Sequence, residues 1–127
     1  MQNEIWKDIP GFWGYQVSNV GRVRSLSRIV KRGNHTVNIP GKILRFGTSM
    51  GYSFVNLRRD GKSFSIKVHK LVGLVFVENP KNRPEIDHIN TDRKDNRMEN
   101  LRWVNRHENN MNPITRERMS NAKRKIK

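Results

Sequence analysis

A chain of 127 residues has room for one ordinary domain, or for two small lobes that share a core. Its 26 Lys and Arg against 11 Asp and Glu give a formal net charge of +15, a field that favours a polyanion, most commonly nucleic acid. The absence of cysteine excludes disulfides and Cys-ligated structural zinc.

Residues 5–26 (IWKDIPGFWGYQVSNVGRVRSL) open irregularly at Pro10, Gly11 and Gly14. Tyr15 and Val17 then alternate with Gln16 and Ser18, and Ser18-Asn19-Val20-Gly21 predicts a turn. On the strand beyond it, Arg22 and Arg24 share one face while Val23 points to the other. Those arginines suit either a solvated hairpin or a ribbon laid on DNA, and Trp6, Tyr15 and Val17 read as the module's own core.

Residues 28–38 (RIVKRGNHTVN) read as a basic connection with little periodicity, in which His35 is idle or structural. A short strand is expected at 42–46. Between 52 and 69, Tyr52, Phe54, Val55 and Leu57 and then Phe64, Ile66 and Val68 flank Asp60-Gly61, the preferred pair for a type I′ hairpin. Arg58, Arg59 and Lys62 crowd its tip. A helix follows over 69–78, its Leu71–Val75 and Val72–Phe76 pairs on a buried face, closed by Asn79-Pro80. Gly73 offers that helix a place for close packing.

Residues 84–112 (PEIDHINTDRKDNRMENLRWVNRHENNMN) carry an Asp–His pair, an acidic and amide-rich loop, an apolar run at Leu101, Trp103 and Val104, and then Asn105 with Glu108. The last two are three apart, as in an N-cap with its reciprocal acid. The predicted order is strand, long loop, strand, helix. A calcium loop would need a central Gly and alternating acids, which this loop lacks. Asn112-Pro113 predicts a helix entry, and six of the twelve residues from 116 to 127 are Lys or Arg, a basic tail that could order on DNA.

His88, Asn100 and Asn109 stand in the order and spacing of the HNH nuclease motif: His, eleven residues, Asn, eight residues, then His or Asn. With Asp87 and the run Asn100-Leu101-Arg102-Trp103-Val104, the segment resembles the HNH homing endonucleases of phages. Residues 6–25 are similar to the small module at the N-terminus of many of those enzymes, through Trp6, Lys7, Asp8, Ile9, Gly11, Tyr15, Val17, Ser18, Asn19, Gly21, Val23, Arg24 and Ser25.

That resemblance implies an α+β fold: a small antiparallel β-sheet module plus a ββα-metal (His-Me finger) nuclease core. It divides the chain into a β-rich DNA-recognition module at 1–50, a nuclease domain at 51–112 with its motif at 84–112, and a basic helix or tail at 113–127. It implies a DNA endonuclease that holds one Mg²⁺ or Mn²⁺ ion per site through Asp87 and Asn109, hard oxygen donors that need phosphate and water to complete the shell. His88 is the implied general base, and Asn100 would orient its ring or tie down the loop. His107 is a competing ligand within a turn of Asn109, and His69 matches a histidine usual just upstream of this motif.

Double-stranded DNA is the expected partner, met by Arg22, Arg24, Arg28, Lys31, Arg32, Arg45, Arg58, Arg59, Arg116, Lys123 and Arg124. The expected assembly is a monomer or weak dimer that nicks one strand at a time. An HNH-fold DNA-binding protein without activity, a repressor or an inhibitor of another nucleic-acid enzyme, is the alternative. Relatives often continue into a C-terminal recognition module, for which these residues leave no room. A membrane partner lacks an amphipathic helix to support it. No apolar run reaches ~18 residues and MQNEIWKD lacks a signal peptide's apolar core, so a cytoplasmic, phage-encoded protein in a bacterial host is expected.

Overall fold

The computed structural model describes residues 3–110, so the expected basic tail with Arg116, Lys123 and Arg124 lies outside the described residues. In chain order the elements are β1 (Trp6–Asp8), β2 (Tyr15–Ser18), β3 (Val23–Ser25), β4 (Arg28–Arg32), β5 (His35–Ile39), β6 (Lys42–Ile43), β7 (Gly47–Ser49), β8 (Tyr52–Arg59), β9 (Lys62–Lys67), α1 (Val68–Phe76), β10 (Glu85–His88), β11 (Leu101–Val104) and α2 (Arg106–Asn110). A single 3-10 turn, Met98–Asn100, precedes β11. All strand pairing is antiparallel: β1-β2-β3-β6 form one sheet, β7-β8-β9 a second, β4-β5 a ribbon and β10-β11 a fourth pair. Small antiparallel sheets around one main helix make this an α+β fold.

The β8–β9 hairpin forms where the residues demand it. Asp60 and Gly61 both take positive φ, 53° and 74°, as a type I′ turn requires. The register sets Val55 against Ile66 and Leu57 against Phe64, with Val55 and Leu57 almost fully buried. Helix α1 then lays Val68, Leu71 and Val72 onto that face.

Ile9, Val17 and Val23 from the N-terminal sheet join Val55, Leu57, Val68, Leu71, Val72 and Leu101 in one core cluster. Helix α1 is its centre, touching β2, β8, β9, β10 and β11. A Cβ at Gly73 would run into Ile86, and Trp103 Nε1 donates to the carbonyls of Gly73 (3.3 Å) and Val77 (3.1 Å). The small residue therefore lets α1 press against β10 and β11.

Three expectations need correction. Residues 28–38 are no loose connection: β4 and β5 pair from Arg28↔Ile39 to Arg32↔His35 around Gly33, whose φ is +63°. Most residues of both strands are solvated, so a sustained alternation of the kind that betrays a half-buried strand is missing; Val30 and Val37, paired across the ribbon, and Ile39 are partly covered. The strand expected over 42–46 spans Lys42–Ile43. Trp6 is not core, because it opens an edge strand and lies half-buried beneath two arginines.

Candidate active site

Strand β10 and strand β11 set the frame. Their register pairs Asp87 with Arg102 and His88 with Leu101, and Ile89 N still donates to Asn100 O at 2.8 Å. The ladder runs through both residues of the Asp–His pair before the loop begins. Alternation along a strand then sends the two side chains to opposite faces. Asp87 shares its face with Arg102, whose Nε and Nη2 each lie 3.1 Å from Asp87 Oδ2. His88 shares its face with Ile86, toward α1.

The His88 ring is 5% exposed, and its Nε2 lies 2.8 Å from Asn96 Oδ1. An amide oxygen can only accept, so Nε2 carries the proton and Nδ1 keeps the basic lone pair. Asn96 is itself 4% exposed and is pressed by the β2–β3 turn, since a Cβ at Gly21 (φ +91°) would lie 3.0 Å from Asn96 Cβ and from its carbonyl oxygen. Met98 N donates to Asn19 O (2.8 Å), and Asn19 Oδ1 accepts from Ile5 N (2.8 Å). The N-terminal turn is thus part of the wall that holds the ring's partner.

Asn100, 6% exposed, ties the loop. Its Nδ2 donates to Asn90 Oδ1 (2.9 Å) and Asp95 O (2.8 Å), and its Oδ1 accepts from Asn90 N (3.1 Å). Of the two roles that resemblance offered Asn100, the bonds made here are those to the loop, while the bond to the ring comes from Asn96. Asp95 joins in through Asn90 Nδ2 (3.0 Å) and a two-pronged contact from Arg97 at 2.8 and 2.9 Å. The Arg97 guanidinium holds the Asp95 carboxyl down at about 2, assisted by Asn90.

Behind His88 stands His69 from α1, its ring centroid 4.9 Å away, with Tyr52 5.1 Å from His69 and 6.1 Å from His88. Burial, then repulsion from His88, Lys67 and Lys70, pushes His69 down to about 3, so the ring is neutral near pH 7. Among the described residues its buried Nδ1 meets no hydrogen-bond partner. Tyr52 also carries Lys67 Nζ and the Arg93 guanidinium over its ring, each at 4.7 Å, and Arg93 Nη1 donates to Met50 O at 2.7 Å.

Helix α2 begins with the predicted reciprocal cap: Asn105 Oδ1 accepts from Glu108 N (2.8 Å), and Glu108 Oε1 accepts from Asn105 N (3.0 Å). Its backbone carries Asn109, while His107 on the same helix is exposed. Among the described residues no three His, Cys, Asp or Glu side chains cluster closely enough to close a metal shell. The chemistry on offer, a carboxylate 7% exposed and amide oxygens, still suits a hard divalent ion that takes its remaining ligands from substrate and water.

The basic residues singled out for DNA are spread over several surfaces. Arg22 pairs with Glu4, which lowers the carboxyl and raises the guanidinium, and lies over Trp6 at 5.5 Å. Arg24 stacks on the same indole at 4.2 Å and donates twice to Gln16 Oε1 (3.0 and 2.7 Å). Arg28, Lys31 and Arg32 line β4, Arg45 follows β6, and Arg58 and Arg59 end β8, all six exposed. Asn96, Tyr52, Arg93 and Gly21's contact were not singled out beforehand. Nothing in the spacing separates Asn96 from its amide-rich neighbours, and the ring stack forms only when β8, α1 and β10 meet.

Residues 4–58 match the NUMOD4 motif and residues 78–111 match the HNH endonuclease model. An HNH endonuclease of Acanthamoeba polyphaga mimivirus is 37% identical over 130 residues, covering 98% of this chain and 30% of that protein. DNA endonuclease I-HmuI of Bacillus phage SP01 is 34% identical over 113 residues, covering 87% of this chain and 58% of that protein. The chain thus spans less than two thirds of either relative. A solved structure described as "DNA binding and cleavage by the HNH homing endonuclease I-HmuI" superimposes with a TM-score of 0.68 at 33% identity, over 94% of this chain and 66% of that one. With the strand–loop–strand–helix frame around Asp87, His88 and Asn100, the chain belongs to the HNH endonucleases of homing type, its nuclease motif following a NUMOD4 motif.

Proposed function

We propose that the protein is a divalent-metal-dependent DNA endonuclease that binds duplex DNA and cuts one strand per encounter. The observation that carries the reading is the His88 ring, buried at the end of β10 with Nε2–H given to Asn96 Oδ1 at 2.8 Å. An imidazole that gives the N–H of one nitrogen to a fixed acceptor leaves its other nitrogen to take a proton. His88 Nδ1 would take the proton of the attacking water. Asn100 would act through the loop, holding residues 90–95 around the ring.

Asp87, with Asn109 from α2, would hold one Mg²⁺ or Mn²⁺ ion. Such an ion, when bound, polarises the phosphate and supports charge on the leaving 3′ oxygen. Arg102, with Nε and Nη2 each 3.1 Å from Asp87 Oδ2, would aim that carboxylate. Phosphate contacts from β4, the β8–β9 tip and the basic tail would supply most of the affinity, which therefore falls steeply with salt. The protein would act as a monomer or weak dimer in the cytoplasm of a bacterial host, encoded by a phage.

Conversion of supercoiled plasmid with Mg²⁺, with Mn²⁺ and with EDTA tests the reading. Open circles should form first with either ion and vanish with EDTA. Linear product appearing from the start would point to paired sites. Tight, salt-sensitive binding without conversion under any condition would move the assignment to a DNA-binding protein that does not cut.

A further inference from the structure

One aromatic side chain has no place in the core or in the nuclease site. Trp13 is 93% exposed, the most exposed large hydrophobic residue among those described. It sits on a braced turn. Gly11 and Gly14 take φ of +81° and +88°, Phe12 N donates to Ile9 O (3.1 Å), and Tyr15 N donates to Phe12 O (3.3 Å). Phe12 points inward, edge-on to Phe64 at 5.7 Å, and the Arg59 guanidinium lies over both rings at 4.7 and 4.8 Å. Arg59 Nη1 also donates to Gly11 O at 3.1 Å. The turn is held from within, and the indole is presented outward.

Trp13 forms part of the wall of an open groove of about 1160 Å³, together with Arg28, Lys42, Arg58 and Arg59. Two acids, Asp8 and Asp60, also line it, so basic side chains outnumber acidic ones by four to two. A basic wall selects a polyanion, but a phosphate has no use for a flat apolar ring. The flat apolar surfaces of a nucleic acid are its base faces, which a duplex exposes only where a step opens.

We propose that Trp13 and this groove form a nucleic-acid subsite, in which the indole lies against a base face at an opened step of duplex DNA and the groove's cations meet the flanking phosphates. The inference rests on the endonuclease reading for its ligand class and adds an apolar contact to the ionic ones. Aromatic wedges of this kind unstack a step and bend the duplex toward the protein.

The test uses the 127-residue chain and a short mixed-sequence duplex across a salt series. Trp13→Ala should weaken binding roughly 5- to 150-fold, and Trp13→Phe less, with the slope of log affinity against log salt unchanged. Arg58→Ala should instead reduce that slope by about one. Duplexes carrying 2-aminopurine should brighten with the native chain and stay dim with Trp13→Ala. Equal binding by native and Trp13→Ala would overturn the subsite and leave the endonuclease reading standing. A change in sedimentation with unchanged DNA binding would overturn it in favour of a contact with a second copy. A native chain that binds no duplex would overturn both.

Discussion

His88 is oriented by its hydrogen bond with Asn96 and by ring contacts with His69 and Tyr52, and Asn96 and His69 each make a separate prediction. Removing the Asn96 amide frees the ring and its tautomer without touching DNA, so Asn96→Ala should lower the cleavage rate about 10- to 100-fold at unchanged DNA affinity, by analogy with the cost of losing a group that orients a functional histidine. Single-turnover cleavage with parallel binding measurements reads this directly. His69 makes a stability prediction instead. Its folded-state value near 3 lies below the ordinary 6.5, so the unfolded chain takes up a proton first as pH falls. Its contribution is fully present above about pH 6.5 and is lost progressively toward pH 3. His69→Leu should flatten that part of the pH–stability curve in chemical denaturation. Arg24 stands apart from both: Arg24→Ala should weaken DNA binding more than it slows chemistry, and the reverse would refute a DNA role for it. His88 and Asn100 stand out in the sequence because their spacing is a motif, and Asp87 because it precedes His88. Asn96 does not, because its role depends on where the loop returns and on the pressure of Gly21 from a strand turn 75 residues earlier.

Elements form here through two kinds of signal, and the weaker kind hid from the sequence. Asp60-Gly61 between alternating apolar runs, and Asn105 three residues before Glu108, are local instructions, and both are obeyed atom by atom. The β4–β5 ribbon does carry a two-residue Gly33-Asn34 turn, with positive φ at Gly33, but it lacks a continuous apolar face to mark its strands. Helix α1 shows a packing constraint overriding propensity. Alanine is favoured over glycine in a helix by ~1 kcal/mol, yet at Gly73 it would collide with Ile86 and crowd Trp103. Gly73→Ala is therefore expected to destabilise the fold by about 1–3 kcal/mol, visible as a lower urea midpoint. The cap of α2 matters for the site as well as the helix. Asn105→Ala should cost ~1 kcal/mol and lower cleavage, because α2 carries Asn109.

Over the whole molecule, the N-terminal sheet and the nuclease frame share a core whose members come from β2, β3, β8, α1 and β11. That continuity, together with the Asn19–Met98 and Gly21–Asn96 contacts, couples the N-terminal sheet to the loop beside His88. The antiparallel N-terminal strands and the strand–loop–strand–helix frame were legible from residue patterns; the junction between them was not, since it consists of backbone bonds and close packing without a sequence signature. Leu57→Ala, at the centre of the shared core, should cost about 2–5 kcal/mol and lower the midpoint of a single transition seen alike by far-ultraviolet circular dichroism and tryptophan fluorescence. On the proposed reading, His88 is the base of a metal-dependent strand cut. Its most direct test compares native chain and His88→Ala on supercoiled plasmid with Mg²⁺, with DNA affinity measured alongside. Open-circle formation that falls roughly 10²- to 10⁴-fold in the variant while affinity holds is the predicted result; a variant that nicks at the native rate would contradict it.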